Sequence, residues 1–168
     1  MIFWLMGISG SGKTTLGLKL KSFFEENHVK AYMIDGDEVR SFFDNDLGYS
    51  KEERMLNVKR IILAASLLEK NGITTIVCNI SPFEDLRQFC KRKIRNYRQI
   101  YLKKSIRESM QSDVKNIYGE HHGKTPLVGV DIVFEEPAHS DLIIDVDKRS
   151  LDESFSDLLA FVKGSISK

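Results

Sequence analysis

The feature that most constrains this 168-residue chain is the stretch GISGSGKTT at residues 7–15. It fits the pattern G-x-x-x-x-G-K-[ST] from Gly7 to Thr14, and it lies between the apolar run IFWLMG and an amphipathic segment. A strand, such a loop and a helix in that order form a P-loop, in which backbone N–H groups and the helix N-terminus face phosphate oxygens. The sequence therefore predicts a nucleoside triphosphate site in a parallel α/β domain.

Within this loop we expect Lys13 to reach the β- and γ-phosphates of ATP, which makes it a catalytic residue as well as a binding one. We expect the Thr14 hydroxyl to bind Mg²⁺, the predicted cofactor. The chain is too short for the machinery of a mechanical ATPase and lacks a guanine-reading N-K-x-D motif, so a small-molecule kinase is favoured. The predicted ATP-binding residues are Gly7, Ser9, Gly10, Ser11, Gly12, Lys13, Thr14 and Thr15.

Short apolar runs alternate with longer amphipathic segments along the chain, which is typical of βαβ units. We predict a three-layer P-loop kinase fold, with a five-stranded parallel sheet flanked by helices. One domain, residues 1–168, is expected, in which an irregular segment at about 104–140 forms a lid. The strands are predicted at residues 2–7, 30–35, 73–80, 98–103 and 141–146, and the helices at 13–27, 38–45, 51–71, 83–96, 105–112 and 150–163.

Net charge and cysteine content indicate which ligands and which cell compartment are expected for this chain. The 25 basic and 24 acidic residues give a net charge of +1, so no long-range field attracts nucleic acid or an anionic membrane. We interpret the basic run at residues 91–99 as a solvated helix end rather than a nucleic-acid site. Cys78 and Cys90 show no zinc or disulfide spacing, and the first apolar run is too short for a signal peptide or a membrane span. A cytoplasmic enzyme is expected.

Two acids, Asp35 and Asp37, follow the second predicted strand, and the carboxyl ends of parallel strands are where such sheets bind ligands. A kinase that phosphorylates a hydroxyl needs a carboxylate to orient that hydroxyl and accept its proton, together with oxygen ligands around Mg²⁺. The two acids can divide those tasks. The alternative is a simple helix cap, in which Asp37 caps a helix that begins at Glu38.

Two arginines and an asparagine lie close to these acids in the sequence. Arg40 follows Asp35 by five residues, and Arg54 and Asn57 are three residues apart on one predicted helix face. Guanidinium groups bind phosphate oxygens in a bidentate manner. The pattern therefore predicts an anion pocket for an acceptor that is itself phosphorylated.

The motifs of the whole chain resemble those of the adenylylsulfate kinase family. The segments GISGSGKTT, IDGDEVR, DLGYSKEER with Asn57 three residues later, ISPF, DVKNIY and VGVDIVFEEP occur in the family's order and approximate spacing. The resemblance implies a kinase that transfers the γ-phosphoryl group of ATP to the 3′-hydroxyl of a nucleotide whose 5′-phosphate carries a further group. Because the family is commonly dimeric, it also implies a possible homodimer.

The resemblance assigns roles to individual residues. Asp35 resembles the family's general base, and Lys115 resembles a catalytic lysine of the lid that reaches the phosphates. Asp37 resembles a magnesium contact through water, and Ser81 a further acceptor contact. The expected acceptor-binding residues are Asp35, Arg40, Arg54, Asn57, Asn79, Ile80, Ser81 and Leu127.

The region that would hold the acceptor's base departs from the family. The family clamps adenine between two aromatic rings, and Ser41 and Leu127 stand at the places where we expect those rings. Such stacking contributes about 1–3 kcal/mol per base. Phe42 or Phe43 could substitute for one ring.

Two further departures concern Asn79 and Ser112. Asn79 replaces an apolar residue of the family, and its carboxamide could bind the edge of a pyrimidine. Ser112 stands where the family has an arginine. These changes favour cytidine 5′-diphosphoramidate as the acceptor, as in the related kinases of capsule phosphoramidate synthesis. The alternative acceptor is adenylylsulfate, whose product is the 3′-phosphoadenylylsulfate of sulfate assimilation.

Two hypotheses come from other functional classes. A non-catalytic nucleotide-binding regulator would not need a general base such as Asp35 or a lid lysine such as Lys115. A nucleoside monophosphate kinase normally has an arginine-rich lid, and no arginine occurs between Ser112 and Ser140. Both hypotheses are therefore less favoured.

Overall fold

A computed structural model of the protein describes residues 1–111 and 126–166. Within these ranges, five strands form one fully parallel sheet. They are β1 (Ile2–Met6), β2 (Ala31–Asp35), β3 (Thr74–Cys78), β4 (Tyr97–Lys103) and β5 (Leu142–Asp145), and their order across the sheet is β2-β3-β1-β4-β5. The predicted five-stranded parallel sheet is confirmed.

The helices of the described ranges occupy the predicted regions, and their ends differ from the predicted ones by up to three residues. The second helix begins at Gly36 rather than at Glu38, because the Asp35 carboxylate accepts a hydrogen bond from the Asp37 N–H at 3.0 Å and caps it. The fourth ends at Lys93, since buried Ile94 is extended and leads into β4. The helices are α1 (Lys13–Glu26), α2 (Gly36–Phe42), α3 (Lys51–Lys70), α4 (Glu84–Lys93), α5 (Ile106–Gln111) and α6 (Leu151–Ile166).

The sheet separates two apolar cores, which makes the domain three-layered as predicted. β1 is buried on both faces, as the central strand of a covered parallel sheet must be. Trp4 packs on one face with residues of α3 and α4, such as Ile61 and Leu86. Phe3 packs on the other face with residues of α1 and α6, such as Leu20 and Leu158.

The strand order sets the distances between the functional segments. The P-loop follows β1, the two acids follow β2, and β3 lies between these strands. β3 pairs with both of its neighbours, so the strands that carry the P-loop and the acids are not adjacent, yet Asp35 lies beside the P-loop residue Thr14. All three carboxyl ends still meet at one edge of the sheet. In the described ranges, no helix combines the length and the apolar character needed to cross a membrane.

Candidate active site

A cleft of about 360 Å³ opens at the carboxyl ends of β1, β2 and β3. Its walls come from the P-loop, the turn after β2, one face of α3, the turn after β3, and residues 126–128. Segments that are distant in sequence are thereby brought to one place, as expected for an open parallel sheet. The predicted residues that line the cleft are Ser9, Gly10, Gly12, Lys13, Thr14, Thr15, Asp35, Asp37, Arg40, Arg54, Asn57, Asn79, Ile80, Ser81 and Leu127.

Two predicted residues of the described ranges, Gly7 and Ser11, do not line the cleft directly. Gly7 and Ser11 lie in the P-loop itself, where the Gly7 carbonyl and the Ser11 hydroxyl accept hydrogen bonds from the Lys13 ammonium group. Lys115 lies outside the described residues, as does Ser112. Their predicted roles therefore stay predictions.

The P-loop has the backbone shape that its glycines predict. Gly12, at the N-cap of α1, has φ of 85°, a left-handed conformation that favours glycine. A Cβ atom at Gly7 would lie 2.5 Å from the Leu102 carbonyl oxygen of β4, so no side chain fits there. The Lys13 ammonium group donates to the Gly7 and Ile8 carbonyl oxygens at 2.9 and 2.7 Å. The lysine is thus held against the loop, and it lines the cleft.

Asp35 connects the P-loop helix with α2 through its two carboxylate oxygens. Oδ2 accepts a hydrogen bond from the Thr14 hydroxyl at 2.9 Å, and Oδ1 accepts one from the Asp37 N–H at 3.0 Å. The predicted base and the predicted magnesium ligand are therefore in direct contact. The cap that we attributed to Asp37 in the simpler interpretation is made by Asp35 instead.

The oxygen donors at this point suit Mg²⁺, which binds proteins through one or two oxygens and completes its shell with phosphates and water. The Thr14 hydroxyl and the carboxylates of Asp35 and the exposed Asp37 are donors of that kind. In the described ranges, no cluster of three or more acidic, histidine or cysteine side chains could hold a metal ion on its own.

Arg40 and Arg54 form a buried cationic pocket in the cleft. Their exposed fractions are 7 % and 8 %, and no carboxylate in the described ranges forms an ion pair with either. Arg40 donates to the Leu47 and Gly48 carbonyl oxygens at 3.2 and 2.8 Å, and Arg54 donates to the Tyr49 carbonyl oxygen at 3.0 Å. Burial, and next the charge of Arg40, lower the pKa of Arg54. Two desolvated cations without a carboxylate favour an anionic ligand.

The side chain of Asn57, in the same wall, has one polar atom with a hydrogen-bond partner and one without a partner in the described ranges. Its Nδ2 donates to the Gly36 carbonyl oxygen at 3.2 Å, which fixes the orientation of the amide. Its Oδ1 is buried and has no hydrogen-bond partner within the described ranges. Buried polar atoms are rarely left unpaired, so this oxygen is available to a donor group of a ligand.

Tyr49 is a cleft residue that the sequence interpretation missed. The guanidinium carbons of Arg40 and Arg54 lie 4.7 and 5.3 Å from the centre of its ring. Among the described residues that line the cleft, Tyr49 is the one with an aromatic ring. Its position in DLGYS, between the two arginines, is the signal that could have identified it.

The expected places of the aromatic clamp are corrected by the structure. Ser41 is exposed and does not line the cleft, because it follows Arg40 on a helix and consecutive helical residues face different directions. Phe42 and Phe43 line a separate apolar groove of about 620 Å³ between α2, α3 and β2. They therefore do not replace a ring in the cleft. Leu127 does line it.

Ser81 lies in the cleft wall but is 1 % exposed. Its hydroxyl oxygen accepts hydrogen bonds from Trp4 Nε1 at 2.9 Å and from Asn79 Nδ2 at 3.2 Å. The expected contact between this hydroxyl and the acceptor thus competes with two bonds inside the protein.

We expect both cysteines to resist thiol reagents in the folded protein at pH 8. Cys78 lies in the cleft lining, and burial raises the pKa of its thiol, like that of Cys90, to about 12. Since the thiolate is the reactive form, neither thiol should react within an hour with a chromogenic disulfide reagent. The same reagent should count two thiols after unfolding in guanidinium chloride. Rapid modification of Cys78 that ATP prevents would contradict this result.

The chain is similar to known proteins both in sequence and in structure. The sequence model of a family described as adenylylsulphate kinase matches residues 1–145. The adenylyl-sulfate kinase of Phocaeicola vulgatus is 36% identical over 172 residues, which cover 100% of this chain and 84% of that protein. A probable adenylyl-sulfate kinase of Pyrococcus abyssi is 35% identical over 155 residues, which cover 89% and 87%. The solved structure of a Mycobacterium tuberculosis APS kinase in complex with AMPPNP and APS superposes with a TM-score of 0.89 at 26% identity, covering 96% of each chain.

Proposed function

The chain belongs to the adenylylsulfate kinase family, and from this premise we propose that it transfers the γ-phosphoryl group of ATP to the 3′-hydroxyl of adenylylsulfate. It is a phosphotransferase with an alcohol group as acceptor, as its relatives are. The observation that carries an acceptor of the adenylylsulfate type is the pair of buried arginines, Arg40 and Arg54, in the same cleft as the P-loop. That pocket suits a nucleotide whose 5′-phosphate carries a second anionic group.

On the donor side, the P-loop amides and Lys13 hold the β- and γ-phosphates. The Thr14 hydroxyl would hold Mg²⁺, with Asp37 as a contact through water. When bound, the ion neutralises charge that develops on the transferred phosphate. Lys115 keeps its proposed role at the same phosphates.

On the acceptor side, Asp35 accepts the proton of the 3′-hydroxyl as its oxygen attacks the γ-phosphorus and ADP leaves. The 2.9 Å contact of Asp35 with Thr14 supports this role, because it puts the carboxylate beside the residue proposed to hold the metal. Arg40 and Arg54 bind the phosphate and the attached sulfate. Asn57, through its unpaired Oδ1, accepts a hydrogen bond from a donor group of the nucleotide.

The acceptor's base is where the sequence interpretation and the comparisons differ. The departures at Ser41 and Leu127 favoured cytidine diphosphoramidate, whereas the relatives are adenylyl-sulfate kinases. Ser41 lies outside the cleft and Tyr49 has an aromatic ring within it, so the lack of a ring at position 41 does not argue against adenine. Adenylylsulfate is therefore the first candidate. No comparison supports a role in capsule synthesis.

Cytidine 5′-diphosphoramidate is kept as a second candidate on one specific observation. Leu127, an aliphatic residue, and the amide of Asn79 both line the cleft. An amide that can donate and accept suits the edge of a pyrimidine, and an aliphatic side chain offers no ring for a purine to stack on.

The test of the proposed function is a comparison of kcat/KM for the two acceptors at equal concentrations of ATP and Mg²⁺. The proposal predicts a higher value for adenylylsulfate. A higher value for cytidine diphosphoramidate would replace the first candidate by the second. No turnover with either nucleotide would favour the regulator.

The substitution Leu127→Phe is expected to lower the KM for adenylylsulfate by about fivefold or more, since one stacked base contributes about 1–3 kcal/mol. The KM for ATP should stay within twofold of the parent value, because the donor binds to the P-loop. Ser41→Phe is the matched control, since position 41 is exposed outside the cleft. An equal effect of the two substitutions would show that Leu127 does not face the base.

Four broader features are also proposals. A single domain spanning residues 1–168 is supported by one continuous sheet with helices on both faces. A lid at about residues 104–140 is supported by Ser109 of α5 and residues 126–128, which line the cleft. A cytoplasmic location is supported by two buried thiols that form no disulfide. The homodimer is supported only by the family resemblance.

A further inference from the structure

The cleft wall after β3 contains a residue with an unusual backbone conformation. Ser81 has φ of 51°, in the left-handed region that side chains other than glycine seldom adopt. The residue that follows is Pro82, and a residue before proline is restricted to extended conformations in most sequences. Such a conformation persists only where the surrounding structure holds it, and this occurs most often at functional sites.

Arg87 holds the Ser81 backbone from the first turns of α4. Its side chain is 1 % exposed, and its Nη1 donates to the Ser81 carbonyl oxygen at 2.9 Å. Nε and Nη2 donate to Glu84 Oε2 at 2.9 and 2.6 Å, which neutralises the buried charge and fixes the guanidinium plane. Only the planar fork of an arginine makes these bonds at once, because a lysine ammonium is a single point.

The hydroxyl of Ser81 is held by a second, separate contact. Trp4 of β1, which is fully buried, donates to it at 2.9 Å. The next residue, Pro82, is also tied, since its carbonyl oxygen accepts a bond from the Glu135 N–H at 2.9 Å. The wall formed by residues 79–82 is therefore fixed by contacts from β1, from α4 and from the chain beyond residue 126.

We propose that Arg87 is a positioning residue for the acceptor nucleotide. By holding the Ser81 carbonyl, it keeps residues 79–82 in the one arrangement that forms the acceptor side of the cleft. Arg87 is buried behind this wall and does not line the cleft, so it acts through Ser81 and Asn79 rather than by touching the nucleotide. The inference rests on the proposed function, since it concerns the acceptor of that reaction.

Arg87→Met is expected to weaken acceptor binding about tenfold and to leave the KM for ATP within twofold. The dissociation constant of adenylylsulfate, measured by calorimetry with ADP present, gives the first value without requiring turnover. Arg87→Lys keeps a cation, loses the fork, and is expected to weaken binding by a similar factor. It takes the place of the methionine variant if that variant does not fold.

Arg149→Met is the matched control, because it breaks an arginine–aspartate pair at the exposed Asp157. An unchanged dissociation constant in a folded Arg87 variant would overturn the proposal.

A second variant separates positioning from a general loss of structure. Glycine adopts left-handed conformations freely, so in a Ser81→Gly background the wall depends less on Arg87. There, Arg87→Met should weaken binding by about threefold or less relative to Ser81→Gly alone. A tenfold loss in both backgrounds would show that Arg87 does not act through Ser81. Failure of the proposed function appears instead in the parent protein, as an absence of phosphoryl transfer to the acceptor.

Discussion

Asp35→Asn is expected to lower kcat by about 10²–10⁴-fold, because a carboxamide cannot accept the proton of the attacking hydroxyl. The substitution keeps the size of the side chain, and its oxygen can still accept the capping bond from the Asp37 N–H. ATP binding should therefore stay within about twofold of the parent value. Single-turnover kinetics, together with the equilibrium binding of a fluorescent ATP analogue, measure the two effects separately.

Asp37→Asn is the matched comparison, since it makes the same chemical change two residues away at an exposed position. If Asp37 contacts the metal only through water, the loss of kcat should be about tenfold or less and should shrink at high Mg²⁺ concentration. A larger loss at Asp37 than at Asp35 would exchange the two proposed roles. Near-normal turnover in Asp35→Asn would exclude Asp35 as the base.

Arg54→Met is expected to raise the KM for the acceptor by about 30-fold or more, since loss of one partner of a buried charge pair costs about 2–5 kcal/mol. The KM for ATP should not change. Without ligand, the melting temperature of Arg54→Met should equal or exceed that of the parent protein, because the parent's cleft disfavours the Arg54 cation. Burial and the nearby Arg40 lower its pKa, which shows that both oppose its charged form. Steady-state kinetics and thermal unfolding test these expectations.

The control for Arg54 is Arg60→Met on the same helix. Arg60 forms an ion pair with Asp46 at 2.6 Å, and it lines the separate groove of Phe42 and Phe43 rather than the cleft. Its removal should leave both KM values unchanged. A fall in melting temperature of Arg54→Met, with an equal loss of ATP and acceptor binding, would mean that Arg54 supports the fold rather than the acceptor.

The fold was predictable from the sequence because local signals and the global architecture agree. The apolar run at residues 2–6 is buried on both faces, and GISGSGKTT leads directly into α1. The position of β3 between β1 and β2 was not predictable from local patterns. Strand order depends on pairing between distant segments, and each of the parallel strands has a similar apolar pattern.

The residues of the site were predictable where the chemistry is tied to a motif. Arg40, Arg54 and Asn57 meet in one wall, as their spacing indicated. The aromatic positions were not predictable, because the direction of a side chain depends on where its helix begins. Asp35 caps α2, the helix starts at Gly36, and Ser41 consequently faces solvent while Tyr49 lies in the cleft. The wall held by Arg87 depends on tertiary contacts with Trp4 and Ser81 that no local pattern contains.

The most direct test of the central claim is the identity of the product. The protein, Mg²⁺, ATP and adenylylsulfate are incubated together, and the reaction is followed by ³¹P nuclear magnetic resonance. The proposed mechanism predicts one new phosphomonoester signal, coupled to the ribose H3′, that appears in equal amount with ADP. Formation of ADP and inorganic phosphate without that signal, or no consumption of ATP, would contradict it.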